Sequence, residues 1–275
     1  MSQPGVLVTG GFDDLDLRQV RFLHESSRIG PVTALLWDDA ALSAVTGSPP
    51  KFSVAERRYL LASLRFVSRV LVVDDASEPW RGVTGLTGHP VVCADGEAPA
   101  PEGDAARRAA AAIGGSLRLF AGSDLQGYPE APLAPPDPSR QRVVVTGCYD
   151  WLHSGHVRFF EEVSGYGELY VVVGHDANVR LLKGDGHPRF SQEHRRYMTG
   201  AVRYVHRSLV STGSGWMDAE PEIGRIGASI YAVNEDGDKP EKREYCGAHG
   251  LEYLVLRRVP AAGLPRRSST DLRGF

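Results

Sequence analysis

Val143-Val144-Val145-Thr146-Gly147-Cys148-Tyr149-Asp150-Trp151-Leu152-His153-Ser154-Gly155-His156 decides how this chain is read. The valine run is a buried strand, Thr146-Gly147 a glycine turn, and the residues after Leu152 the start of a helix. His153 and His156 sit where the helix opens, with Gly155 between them. Backbone N–H groups at a helix start favour anions. Two imidazoles on one first turn can donate hydrogen bonds to a polyphosphate. The stretch is therefore a place to hold a nucleoside triphosphate.

The same pattern occurs earlier in a damaged form. Val6–Phe22 aligns without a gap: Thr9, Gly10, Asp13, Leu15, Val20, Arg21 and Phe22 match Thr146, Gly147, Asp150, Leu152, Val157, Arg158 and Phe159. In place of His153, Ser154, Gly155 and His156 stand Asp16, Leu17, Arg18 and Gln19. Downstream, Pro50–Tyr59 matches Pro188–Tyr197 after one inserted residue, and Leu64–Val67 matches Val202–Val205. A repeat of this length is a tandem domain, not a solenoid unit.

Composition sets bounds. At 275 residues and 42% hydrophobic, the chain has room for two packed domains. A net charge of −3 argues against a nucleic-acid partner. No apolar run approaches the ~20 residues of a membrane span. The Met1-Ser2-Gln3-Pro4 start shows no signal-peptide pattern. Cys93, Cys148 and Cys246 are few and widely spaced, which predicts free thiols and a cytoplasmic setting.

The reading gives a first domain at 1–128, a proline-rich linker at 129–138 and a second domain at 139–275. In the first, late strands are expected at Pro90–Cys93 and Ser116–Phe120, with a helix at Ala105–Ala112. In the second, strands are expected at Arg142–Thr146, Leu169–Gly174, Ser208–Val210, Ser229–Val233 and Tyr253–Leu256. Helices are expected at Gly155–Ser164, Gln192–Ala201, Glu220–Ile226 and Pro240–His249, with a last one from Ser269. Short apolar strands alternating with helices predict an α/β chain of two tandem Rossmann-like parallel-sheet domains. Ligands of such sheets bind beyond the carboxyl ends of the strands, where Thr146–His156 falls.

His153-Ser154-Gly155-His156, an HxGH motif after a strand and a Thr-Gly turn, resembles the signature of the cytidylyltransferase-like nucleotidyltransferases. Residues 142–275 resemble that family nearly end to end, and the two-copy layout is similar to the ethanolamine-phosphate cytidylyltransferases. The resemblance implies that His153 and His156 contact the triphosphate and stabilise the transition state. It gives Lys183, in Leu182-Lys183-Gly184-Asp185-Gly186, a phosphate contact. The chain has only four lysines, and the damaged copy has Thr46 at that position. Thr146, Gly147, Cys148, Tyr149, Asp150 and Gly155 would line the nucleotide, with Cys148 contributing backbone before thiol.

The closing motif of the family, an arginine followed by a Ser/Thr run, is matched by Ser268, Ser269 and Thr270. Its arginine is open between Arg258, Arg266 and Arg267. Arg195 stands where the family often has an arginine near the nucleotide, yet Arg57 persists in the damaged copy, so a structural role competes. The same holds for Asp150 and Asp13. Asn234 and Asp236 follow a strand and could read base or hydroxyl. Lys239 and Arg243 could take an acceptor phosphate, and Trp216 lies where glycerol-phosphate cytidylyltransferases have a similar Gly-Trp.

The expected activity is transfer of CMP from CTP, with Mg²⁺ held mainly through the triphosphate, to a small phosphorylated alcohol, polyol, sugar or phosphonate. ATP is the alternative donor, since the family includes adenylyltransferases. A non-catalytic nucleotide-binding scaffold is the rival from another class. The first copy is expected to serve as an intramolecular pseudo-dimer partner, with a homodimer as the alternative.

Overall fold

The computed structural model describes residues 5–94, 101–131 and 133–268. The chain divides into two compact units, Met1–Gly127 and Tyr128–Phe275. The first contains β1 (Val6–Gly10), α1 (Leu17–Ser27), β2 (Val32–Trp37), α2 (Asp39–Thr46), α3 (Val54–Ser63), β3 (Val67–Val73), β4 (Val91–Ala94), α4 (Pro101–Ile113) and β5 (Leu117–Phe120). The second contains β6 (Arg142–Gly147), α5 (Ser154–Ser164), β7 (Glu168–Val173), α6 (Asp176–Lys183), α7 (Gln192–Gly200), β8 (Val205–Val210), α8 (Glu220–Ile226), β9 (Ile230–Asn234), α9 (Pro240–His249) and β10 (Glu252–Leu256).

Both units are five-stranded sheets with every pairing parallel, in the orders β3-β2-β1-β4-β5 and β10-β9-β6-β7-β8. Strand for strand the paths are the same, so the sequence repeat is a repeat of topology. Each order reverses direction beside its first strand: β4 lies on one side of β1 and β2 on the other, as β9 and β7 flank β6. That reversal opens a crevice at the carboxyl ends of the two central strands. The units differ after their third strand. The second has α8 there, whereas residues 74–90 of the first form no helix.

The apolar strand runs are what two-sided burial requires. Every residue of β7 is buried. Val144, Tyr170, Val172, Tyr231 and Val233 pack on Ile223 and Ile226 of α8 and Cys246 of α9. Side chains alternate along a strand, so Val143 and Val145 point to the opposite face, where they are fully buried. Parallel crossovers are right-handed. β6-α5-β7 and β9-α9-β10 run in opposite directions along the sheet, which puts α5 and α9 on opposite faces. In the first unit Ala105, Ala106, Ala109 and Ala110 of α4 pack on Leu7, Leu35 and Trp37.

The proline-rich stretch belongs to the second unit. Glu130 pairs with Arg196 at 2.7 Å, and the Asp137 N–H donates to Glu168 Oε1 at 2.7 Å. The helix expected from Ser269 lies outside the described residues. One helix of the second unit went unread: α6. His175 caps it, its Nδ1 accepting from the Asn178 N–H at 3.2 Å. Lys183 therefore closes a helix, and the glycine loop begins at Gly184.

Candidate active site

β6 carries Thr146 and Gly147 to the carboxyl edge of the sheet, where the chain turns through Tyr149 with φ of 53°. A bulky residue in the left-handed region is an outlier and needs support. The Tyr149 ring lies against Gly147, where an added Cβ would sit 2.8 Å from Cζ. The same ring meets Phe160 and His156 edge-on, each at 5.2 Å. In the first unit Phe12 holds the equivalent place with φ of 47°. Below the turn, the Thr146 and Tyr231 hydroxyls are hydrogen-bonded at 2.6 Å. Burial pushes the Tyr149 and Tyr231 phenols up, so both stay protonated.

The two histidines have different places. His153 is buried and caps α5, its Nδ1 accepting from the Gly155 N–H at 3.1 Å. His156, half-buried, faces the cleft, and the rings stack at 3.9 Å. His153 thus sets the ring of His156 rather than lining the cleft itself. Gly155 is required between them: a Cβ there would lie 3.0 Å from His153 Cε1 and Nδ1 and 3.3 Å from the Arg267 carbonyl oxygen. Burial is the largest influence on His156 and holds its pKa well below the usual histidine value; His153, Arg258 and Lys183 push the same way and the Trp151 backbone opposes them. At neutral pH the ring is uncharged, and so presents one N–H donor.

The cleft, of about 180 Å³, spans the ends of β6 and β9. Thr146, Gly147, Cys148, Tyr149 and Asp150 form its floor and near wall, with Gly155 and His156 at the opening of α5. Lys183 reaches it from the end of α6, Asn234 and Asp236 from the end of β9, and Arg258 from beyond β10. Arg258 is the arginine of the closing segment that enters the cleft. It donates to Asp236 Oδ2 at 2.6 Å and to the Arg267 carbonyl at 2.7 Å, which ties that segment over the start of α5. Burial raises the pKa of Cys148. The thiol is therefore protonated, as its backbone role implies.

Several residues expected to bind ligand have other places. Arg195 is fully buried and does not line the cleft. It donates to the carbonyls of Phe190, Cys148 and Gly174 at 2.9, 2.7 and 2.8 Å and pairs with Asp176 at 2.7 Å. Arg57 repeats this in the first unit with Phe52, Gly11, Trp37 and Asp39. Both arginines hold the turn. Asp150 lines the cleft, but its carboxylate accepts from the N–H groups of Arg189 and Phe190, as Asp13 does from Lys51 and Phe52. Trp216 is half exposed, with the Lys239 ammonium 5.3 Å from its ring centre, and Arg243 pairs with Asp238. Neither those three nor Arg267 and Ser268 line the cleft. Arg266 is largely exposed, 3.8 Å from Glu235. Ser269 and Thr270 lie outside the described residues.

Two cleft residues with titratable side chains escaped the sequence reading. His187 lines it and lies 3.7 Å from Asp150, and the matching position in the first copy is Pro49. Lys242 lines it from α9. In both cases the signal was comparison of the copies at charged positions outside the motif.

The sequence profile described as cytidylyltransferase-like matches residues 144–236, within the second unit. An FAD synthase of Aciduliprofundum boonei is 31% identical over 134 residues, 48% of this chain and 84% of that protein. The chain belongs to the cytidylyltransferase-like family. An FAD synthase of Thermococcus kodakarensis is 34% identical over 119 residues, 42% of this chain and 78% of that protein. The bifunctional protein HldE of Geobacter sulfurreducens is 41% identical over 72 residues, 26% of this chain but 15% of that protein. The cleft described above lies largely within the matched stretch. No helix among the described residues is long and apolar enough to cross a membrane.

Proposed function

We propose that the second unit joins the nucleotidyl group of a triphosphate to a small phosphorylated or phosphonate acceptor. An acceptor oxygen attacks the α-phosphorus, the bond to the β-phosphate oxygen breaks, and pyrophosphate leaves. The observation that carries this reading is the difference in charge between the two clefts. His156, Lys183 and Arg258 meet in the second. Gln19 and Thr46 stand at the first two positions in the other unit. Gly122, five residues after Leu117 as Arg258 is five after Tyr253, stands at the third.

The roles follow from placement. The neutral His156 donates to phosphate oxygens at the start of α5, His153 fixes the ring of His156, and Lys183 and Arg258 offset charge as the α-phosphorus becomes five-coordinate. Among the described residues no group of three metal-ligating side chains occurs. A Mg²⁺ ion held by triphosphate oxygens and water would neutralise the departing pyrophosphate.

CTP is the donor implied by the family resemblance. ATP is the second reading, favoured by the two FAD synthases, because FAD carries an adenylyl group. Calorimetric titration of CTP and ATP with Mg²⁺ separates the two. His156→Ala tests the chemistry: turnover is expected to fall by about 10²–10³, or 2.7–4 kcal/mol, the scale for loss of one transition-state donor. A variant that keeps turnover and loses only nucleotide affinity would support the scaffold reading instead.

A further inference from the structure

Lys242 projects from the first turn of α9 into the cleft and is about nine-tenths buried. Its ammonium donates to the Gly237 carbonyl at 3.3 Å and lies 5.7 Å from the centre of the Tyr231 ring. No carboxylate lies within ion-pair distance among the described residues. The neighbouring acids are occupied: Asp218 accepts from the Ser211 hydroxyl at 2.6 Å, and Asp238 is paired with Arg243 and accepts from the Tyr253 hydroxyl. Burial is the main influence on Lys242 and lowers its pKa. Asp218 and Asp238 oppose that shift from beyond ion-pair distance, and a buried cation with no carboxylate in contact favours a ligand that brings an anion to it.

The first unit supplies the comparison. Lys242 stands eleven residues after Tyr231 and Glu102 eleven after Val91, and those two strand residues occupy the same place in the two sheets. Glu102 lines the first unit's cleft of about 140 Å³ as Lys242 lines the second. At this position the charge is reversed.

Position says which anion Lys242 meets. α5 brings His156 to the cleft from one face of the sheet, and α9 lies on the other. The triphosphate is committed to the α5 flank. The nucleoside is uncharged, so the remaining anion is the acceptor's. We propose that Lys242 anchors an anionic oxygen of the acceptor on the α9 flank, opposite the triphosphate. This rests on the nucleotidyl-transfer reading. The oxygen can belong to the attacking phosphate or to a second anionic group of the acceptor.

The test uses the full chain loaded with an α,β-methylene triphosphate, which binds without turning over. Glycerol 3-phosphate, phosphoethanolamine, 3-phosphoglycerate and FMN are titrated into wild type, Lys242→Met and Lys242→Glu. The expected result is at least tenfold weaker acceptor binding by Lys242→Met, a larger loss for Lys242→Glu, and triphosphate affinity within twofold of wild type. Equal losses across the acceptors bound place the attacking phosphate on Lys242. A loss confined to 3-phosphoglycerate places a second anion there. Unchanged acceptor binding, or a loss confined to the triphosphate, overturns the proposal. So does failure of wild type to bind any of the four acceptors. Failure of wild type to bind the triphosphate analogue overturns nucleotidyl transfer itself. Lys242→Met keeps the apolar stem, and a thermal midpoint at or above wild type shows that the variant is folded.

Discussion

Replacing Arg195 with Met decides whether the most deeply buried arginine of the second unit serves the fold or the ligand. The side chain is wholly inaccessible and makes hydrogen bonds to three carbonyls and to Asp176. Methionine fills much of the volume but leaves the carbonyls of Cys148, Gly174 and Phe190 without this donor, and Asp176 without its pair. Leaving the carbonyls without a donor and half-exposed Asp176 without its pair costs on the order of 3 kcal/mol. For a unit of this size that lowers the melting midpoint by about 10 °C or more. Arg57→Met should cost the first unit a similar amount, because its partners are equivalent. Hydrogen exchange read peptide by peptide follows each unit separately. In Arg195→Met, the loss of protection should be largest across β6, β7 and β9, and in Arg57→Met it should be largest in the first unit. Nucleotide titration at low temperature, where the variant is folded, should give an affinity within tenfold of wild type. A stability loss below about 1 kcal/mol with a nucleotide affinity reduced more than tenfold would refute the reasoning.

Other perturbations test other parts of the argument. Gly155→Ala places a methyl 3.0 Å from the His153 ring and 3.3 Å from the Arg267 carbonyl, so it should shift the ring that sets His156. Turnover should drop at least tenfold with the fold intact by circular dichroism, and unchanged turnover would count against a positioning role for His153. In the first unit His24 is buried against Phe66, their rings stacked at 4.1 Å. Burial first, then Arg28, Arg21 and Arg65, holds its pKa down to about 4. Between about pH 6.5 and 4 the unfolded chain therefore binds a proton that the folded unit does not. Stability should fall as pH falls through that window, by on the order of 3 kcal/mol at its lower end, and His24→Leu should remove the dependence. The proposed pseudo-dimer predicts that a Tyr128–Phe275 fragment is unstable or self-associates. Sedimentation showing a stable, fully active monomer would end that proposal.

The sheets were legible because parallel strands buried on both faces are written as unbroken apolar runs, as in Val143-Val144-Val145. The turn was legible because Gly147 and Gly155 are demanded by side chains that lie against them, Tyr149 and His153. What stayed hidden was set by tertiary packing. Arg195 had the identity of a phosphate ligand, and only its carbonyl partners, far apart in sequence, show it to be a brace. Arg258 could not be separated from Arg266 and Arg267 by spacing, because the Val259–Leu264 segment that intervenes folds back over α5. Lys242 sits among charges that read as a solvated helix start, and only the crossover of α9 to its face of the sheet turns it into the cleft.

The two copies separate shape from chemistry. Phe12, Asp13 and Arg57 reproduce the strained turn, its staple and its brace, although among the described residues no cation lines the cleft beside Gln19 and Glu102. The brace is costly to lose in either unit, because each arginine is fully buried and is the donor to three backbone carbonyls. The phosphate-facing groups carry no such penalty. A solvent-facing lysine at the end of α6 can become Thr46, and a half-buried histidine can become Gln19, without opening a cavity or stranding a buried charge. Decay at these positions is therefore invisible to the fold and decisive for an anion. A carboxylate at Glu102 goes further than loss, since it repels the charge that Lys242 attracts. The turn that announces a phosphate site is thus evidence of ancestry in both units. The charges lining the cleft, not the turn, argue that the second one works.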